Sequence, residues 1–395
     1  MISKTTLDVG SGVTPANFVY SGDTLVWKRY YDTGLWEHSL NTVDVTFTDF
    51  EALSISGDGV TINWGDGEIN LANDSTPIDP RPIDHAINAN TGIKAIEIVS
   101  PKDDVSVINF GASGNGSLGG TIDITEYNNL TEFTCDGRGV ESFIDTNPTG
   151  KTAFINLDLQ GNGLTSFPDT SNYPALKRLY LQNSTVSLGA IPDNLPNTLI
   201  QLLLGNSGIT GQIPRGTNDE RRLPPQLAQF SVSDNPNLSG TILNSDFGLN
   251  TNGISVNGCN FSGSIPSLRF GNNRQRLARF YGYNNGFTSI ADPFIVYAPA
   301  SPSKIDIGLS NFGIHGNNIP KADIIRALLA FYIAYVVDNK PGIVDGNIQM
   351  NGNGNSIGDN ELIDPNASLN DPTFDVTVGE AKTALVSKGF DTILL

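Results

Sequence analysis

Apolar residues recur through the middle of this chain with a period of 22 to 28 residues, and a period of that length leaves few folds open. The marker residues are Phe133, Leu157, Leu179, Leu202, Phe230, Ile254, Phe280 and Ile305. A unit this short is one layer that cannot bury its apolar face alone, so successive units must stack. Each marker but Phe280 opens an apolar-x-apolar pair, which predicts a short strand with both apolar side chains turned inward. The Asn or Cys a few residues later, as at Asn162, Asn235, Cys259 and Asn285, is placed to bond backbone groups inside the coil. In the unit of Leu176, Leu179 and Leu181 the last apolar place falls on Val186.

Several units carry a second signature: Leu188-Gly-Ala-Ile191-Pro192, Ile209-Thr-Gly-Gln-Ile213-Pro214, Leu238-Ser-Gly-Thr-Ile242 and Phe261-Ser-Gly-Ser-Ile265-Pro266. Together with the period, these segments resemble the L-S-G-x-I-P stretch of plant-type leucine-rich repeats. The resemblance implies a solenoid over residues 111–318 that works by presenting a surface. The expected fold class is mostly β: this solenoid, an N-terminal immunoglobulin-like β-sandwich, and a small α/β cap.

The sandwich is expected over residues 46–110. Val60 to Asn63 and Ile69-Asn70 read as two strands around the turn Trp64-Gly65-Asp66-Gly67. That tetrapeptide, with His85, Gly92 and the alternating Ile93 to Ile98, resembles the W-G-D-G signature of PKD-like modules. Ala86 and Ile87 stand where those modules carry an aromatic, so an unrelated hairpin stays open. The first 45 residues cluster Tyr20, Trp27, Tyr30, Tyr31 and Trp36. Aromatic anchors favour interfaces, which makes these five the candidate binding surface of a docking arm; they would equally complete the sandwich core.

Residues 319–395 change period. A helix is predicted from Pro320 to Asp338 and a further repeat strand through Gly346, Ile348 and Met350. Thr377 and Glu380 form a capping box for a last helix that stops at Gly389, and a final strand begins at Phe390. A terminal layer exposes an apolar face, so this segment reads as the cap. Ala381, Leu385, Lys388, Gly389 and Phe390 also resemble the closing element of leucine-rich repeat proteins carried by bacteriophages.

Charge and composition narrow the function. The net charge is −18, from 23 basic and 41 acidic residues, which opposes binding to phosphate backbones. Nucleic acid is therefore not an expected partner. The apolar run Ile324 to Val337 is shorter than the ~20 residues that cross a bilayer and reads as a buried helix, so no membrane insertion is expected. No secretory signal is visible at Met1 to Phe18.

Gly114 to Gly119 satisfies G-x-G-x-x-G, but a strand rather than a helix is predicted after it, which argues against a dinucleotide site. Asn351 to Glu361 departs from a calcium loop at its sixth and twelfth places. His38, His85 and His315 lack metal-ligand spacing. Cys135 and Cys259 fall about five layers apart, roughly 24 Å at strand spacing, too far for a disulfide. No catalytic residue, metal site or cofactor is expected.

The resulting expectation is a non-enzymatic structural or adhesion protein of a bacteriophage virion, as capsid decoration or tail component. Its partners would be other virion proteins and a host-surface glycan or protein. A secreted bacterial surface adhesin and a polysaccharide-degrading tail enzyme are the alternatives.

Overall fold

A computed structural model describes residues 106–109, 121–125, 127–147, 149–218, 220–248, 250–266, 277–291, 309–332, 335–336, 346–352, 357 and 376–395, and the backbone of eight strands within the first 101 residues. Its dominant feature is one sheet of twelve strands. The marker residues pair in register, Phe133 with Leu157, then Leu179, Leu202, Phe230, Ile254 and Phe280, every pair parallel.

Beyond Phe280 the residue in register is Phe312, and after it Ile348 and Ile393. Ile305, expected in that place, lies outside the described residues. At the other end Ile108 precedes Phe133, and Ser54–Ser56 adds an antiparallel edge strand.

Most rungs are three-residue strands with the central side chain buried and its neighbours partly exposed. A strand that short is held in place by the turn at its C-terminal end. Four residues past the marker the backbone turns through positive φ in successive rungs: Gly137, Gly161, Asn183, Asn206, Asp234, Gly258, Asn284, Gly316 and Gly352. Gly and Asn tolerate that conformation best, which accounts for much of this composition.

The next position carries the internal hydrogen bonds. The Asn162 amide donates to the carbonyls of Cys135 and Leu159 at 2.6 and 2.9 Å, and its Oδ1 accepts from the N–H groups of Arg138 and Val140 at 3.0 Å. Asn235 repeats the arrangement against Leu204, Val232, Ser207 and Ile209. Asn285 and Asn317 do the same further along. Each Asn thus closes its own turn and bolts it to the preceding rung.

Cys259 takes this place in its rung and donates to the Val232 carbonyl at 3.0 Å. Both cysteines are free and buried, and burial pushes the Cys259 thiol up to about 11.

On the opposite side the Gly-containing segments form short parallel strands: Gly189–Ala190 with Ile209–Thr210, and Ser239–Gly240 with Asn260–Ile265 and Gly286–Ile290. Gly189, Gly211, Gly240 and Gly263 all have positive φ, from 76° to 95°. Side-chain hydroxyls link these layers; those of Ser239, Ser262 and Thr288 donate to the carbonyls of Gly211, Gly240 and Gly263.

One unit departs from expectation. Val186 is 44% exposed, and Leu188 fills the inward place instead. Ser184, at the place that Asn162 holds in the preceding rung, donates to the nearby Val186 carbonyl, so the turn is not drawn inward.

The last rungs replace this back strand with helices. Helix α1 spans Lys321–Tyr332 and helix α2 spans Val378–Val386. The capping box forms as predicted: the Thr377 hydroxyl accepts from Glu380 N–H, and the Glu380 carboxylate accepts from Thr377 N–H. Gly389, at φ 91°, ends the segment and leads into the strand Phe390–Leu394. Phe331 packs against Phe312 and Phe390, with ring centroids 5.6 and 6.0 Å apart. No helix among the described residues is long and apolar enough to cross a membrane.

Towards the N-terminus, Lys4–Leu7, Ala16–Ser21 and Thr24–Trp27 form a three-stranded antiparallel sheet. Leu35–Asn41, Ala95–Pro101, Thr61–Asn63 and Ile69–Leu71 form a separate four-stranded antiparallel sheet. The strands expected on either side of Trp64 to Gly67 do pair, Thr61 with Leu71.

Candidate binding face

Since each marker side chain points into the coil, the residues one before, one after and three after it line up across the rungs as three files on the outer side of the sheet. Cross-strand pairing fixes the first two files. One runs Glu132, Asn156, Arg178, Gln201, Gln229, Gly253, Arg279, Asn311. The second runs Thr134, Asp158, Tyr180, Leu203, Ser231, Ser255, Tyr281, Gly313. The third includes Asp136, Gln160, Gln182, Gly205, Ser233, Asn257, Tyr283 and His315.

This face divides into three zones. The first is acidic and amide-bridged. Gln160 Nε2 lies 3.1 Å from Asp136 Oδ2 and 3.5 Å from Asp158 Oδ2, and Gln182 Nε2 donates to Gln160 Oε1 at 2.7 Å. Burial pushes the Asp158 carboxyl up to about 6, with the Asp136 charge adding to the shift against the stabilising Gln160 N–H. Burial also raises Asp136. Tyr180 donates from its hydroxyl to Gln201 Oε1, and Gln201 Nε2 donates to Gln229 Oε1 at 2.7 Å, which ties three rungs together.

The second zone is low and polar. Leu203, Gly205, Ser231, Ser233, Gly253 and Ser255 stand between Tyr180 and Tyr281, and a Cβ built on Gly253 meets nothing within 4 Å. The third zone is aromatic. Tyr283 stacks on His315 with centroids 4.4 Å apart and planes 9° from parallel, while Tyr281 meets Tyr283 edge-on at 6.4 Å. Gly313 makes room for both tyrosines, whose rings lie 3.4 Å from where its Cβ would stand. Burial lowers the His315 pKa, which favours the neutral ring.

Of the residues singled out from the sequence, Tyr20 and Trp27 lie in the three-stranded sheet and Trp36 in the four-stranded one. Tyr30 and Tyr31 are outside the described residues. His38 lies in the strand Leu35–Asn41, and His85 is outside the described residues. Tyr180, Arg279, Tyr281, Tyr283 and His315 escape a motif search because such a search reads the inward positions, whereas these occupy the variable ones. Writing out those variable positions unit by unit would have gathered Tyr180, Arg279, Tyr281 and Tyr283 into files, but with Ile305 as the next marker it would have set Gly308, not His315, beside Tyr283. No group of three or more His, Cys, Asp or Glu residues arranged to hold a metal occurs among the described residues.

The parallel ladder, the internal Asn bonds and the glycine-dependent back strands define a leucine-rich-repeat-type β-solenoid. Solved structures similar to it include the plant peptide hormone receptor RGFR1 in complex with RGF2, at 22% identity and TM-score 0.40, covering 51% of this chain and 31% of that one. The structure of PEPR1-AtPEP1 is similar at 16% identity and TM-score 0.37, over 53% of this chain and 36% of that one. A plant ice-binding protein matches at 16% identity and TM-score 0.37, over 63% and 76% of the two chains. The matched part therefore spans about a third of the RGFR1 and PEPR1 chains. No protein-family model and no curated protein matches the sequence.

Proposed function

We propose that this chain is a recognition protein that takes its ligand on the outer strand face without catalysing a reaction, as a structural or adhesion component of a bacteriophage particle. The observation that carries the recognition reading is the three-file face itself. Folding requires only the inward residues of each rung, yet the outward ones are zoned into acidic, short polar and aromatic stretches, with Gly205 and Gly253 keeping the centre low. Its partners on the particle would be other virion proteins. The W-G-D-G segment and the phage-like closing element support the particle setting. Mass spectrometry of purified particles tests it: the chain is expected among the virion proteins, and its absence would overturn the setting.

A second reading, glycan hydrolysis, has one observation behind it. Asp136 and Asp158 share the Gln160 amide and carry raised pKa values, and two neighbouring carboxyls with shifted pKa values are the equipment of that reaction. Incubation with host capsule separates the readings. No released oligosaccharide is expected; release that stops in Asp158→Asn would replace the recognition reading with an enzymatic one.

A further inference from the structure

Charge is distributed unevenly along this acidic chain. Between Phe247 and Ala291 the sequence contains Arg269, Arg274, Arg276 and Arg279 and no Asp, Glu or Lys, although the whole chain carries −18. Arg279 lies on the outer face of the ladder, exposed, and its guanidinium has no carboxylate partner among the described residues. Its cross-strand neighbours are Gly253, open above, and Asn311. At this end Asp234 stands at the turn, and its charge raises the Tyr283 pKa after burial does. Glu132, Asp136 and Asp158 belong to the opposite end of the face.

The floor beside Arg279 has a distinct chemistry. Over the four strand steps from Tyr180 to Tyr281, about 19 Å at the usual spacing, the side chains are Gln201, Gln229, Ser231, Ser233, Ser255 and Asn257, with Leu203 alone apolar. A peptide ligand gains its affinity from an open strand edge or from pockets for its apolar side chains. This floor is the interior of a sheet paired on both sides, and it presents hydroxyls and amides instead. Nucleobases need free aromatic faces, and one face of Tyr283 is covered by His315. A ligand built of hydroxyl groups, with a carboxylate at one end, matches both the floor and the guanidinium beside it.

Resting on the recognition reading, we infer that the ligand is an acidic oligosaccharide: a carboxylate-bearing sugar pairs with Arg279, and the hydroxyls of adjoining sugars bond to Ser231, Ser255 and Gln229 between the Tyr180 and Tyr281 walls. The carboxylate and guanidinium form two parallel charge-assisted hydrogen bonds, the strongest contact such a surface can offer.

The test uses the full chain and calorimetric titration with three probes: oligogalacturonate, the same oligomer with its carboxylates reduced to alcohols, and a random peptide library. Binding of the acidic oligomer is expected to exceed that of the reduced one by about tenfold or more and to weaken with salt. Arg279→Gln should abolish that preference while leaving the circular dichroism and melting temperature unchanged, since the side chain is exposed. Ser231→Trp, which fills the floor, should abolish binding of both oligomers. Equal binding of the two oligomers, or a preference that survives Arg279→Gln, overturns the inference. Peptide binding that Ser231→Trp removes, without oligosaccharide binding, overturns it while leaving the recognition reading intact. Failure of every probe class on this face overturns both.

Discussion

The middle rungs and the last two rungs share one strand ladder but solve the back of the coil differently. From Phe133 to Phe280 successive markers are 22 to 28 residues apart, and the back strands are short parallel ones of two to six residues, several of which carry a positive-φ glycine, as at Gly189, Gly240 and Gly263. From Phe312 to Ile348 the step is 36 residues and from Ile348 to Ile393 it is 45, and the backs are α1 and α2. The longer rungs leave room for a full helix behind the front strand, whereas the shorter ones close through a brief parallel strand or a turn. The front is indifferent to the choice, since parallel pairing needs only the register of three residues.

The junction between the two regimes is specific. Gly286–Ile290 is the last back strand in its sheet, and α1 meets its free end: Asp323 Oδ2 accepts from Ile290 N–H at 2.9 Å, while Arg326 donates to the Ile290 carbonyl and pairs with Asp323. An exposed strand end is a template for unwanted pairing, and these two side chains occupy it.

Asn235→Ala attacks the contrast where the middle rungs are most tightly held. Two carbonyls and two N–H groups would lose a buried partner, each worth about 1–3 kcal/mol when left unsatisfied. A loss of about 4 kcal/mol or more in urea denaturation is expected, with protection from hydrogen exchange falling in rungs on both sides of the site. Phe331→Ala acts on the other regime. Emptying the space between Phe312 and Phe390 should cost about 3 kcal/mol, and exchange should rise at the C-terminal rungs alone; a uniform rise across the ladder would show that the two regimes are one cooperative unit.

Asp323→Ala removes the acceptor for Ile290 N–H and strands the partner of Arg326, for an expected loss of about 1–3 kcal/mol, with new self-association at high concentration if the strand end matters. Gly211→Ala isolates the conformational requirement of the back strands. Nothing lies closer than 3.9 Å to the added Cβ, so the expected cost of about 1–2 kcal/mol is conformational alone.

The smallest effect concerns the acidic zone. Asp158 titrates higher in the folded chain, near 6, than in the unfolded one, near 3.8. The folded state therefore binds the extra proton between those values, and its stability falls as pH rises from about 4 to about 6. Asp158→Asn should flatten that dependence and raise the melting temperature at pH 7 by about 2 °C; an unchanged pH profile would show that water reaches the carboxylate freely.

Much of the solenoid is local information. Leu157, Leu179, Leu202, Phe230 and Ile254 can be placed from the sequence because every rung must bury the same position, and Asn162, Asn235 and Asn285 because a side-chain amide can donate to two carbonyls and accept from two N–H groups within one turn. The helix that starts after Thr377 is legible for the same reason, its cap lying within four residues. Val186 is misplaced by a spacing rule, which cannot register that Ser184 fails to pull its turn inward.

Stacking, by contrast, selects which distant residues become neighbours. Tyr283 and His315 are 32 positions apart and stack because two rungs of unequal length bring them side by side. Phe312 rather than Ile305 continues the register because pairing is set by the strand that docks, whatever the average period. The outward files are free of the packing constraint that makes the inward ones periodic. The repeat could thus be read from the sequence, but the pattern of its binding face emerged only once the rungs were stacked.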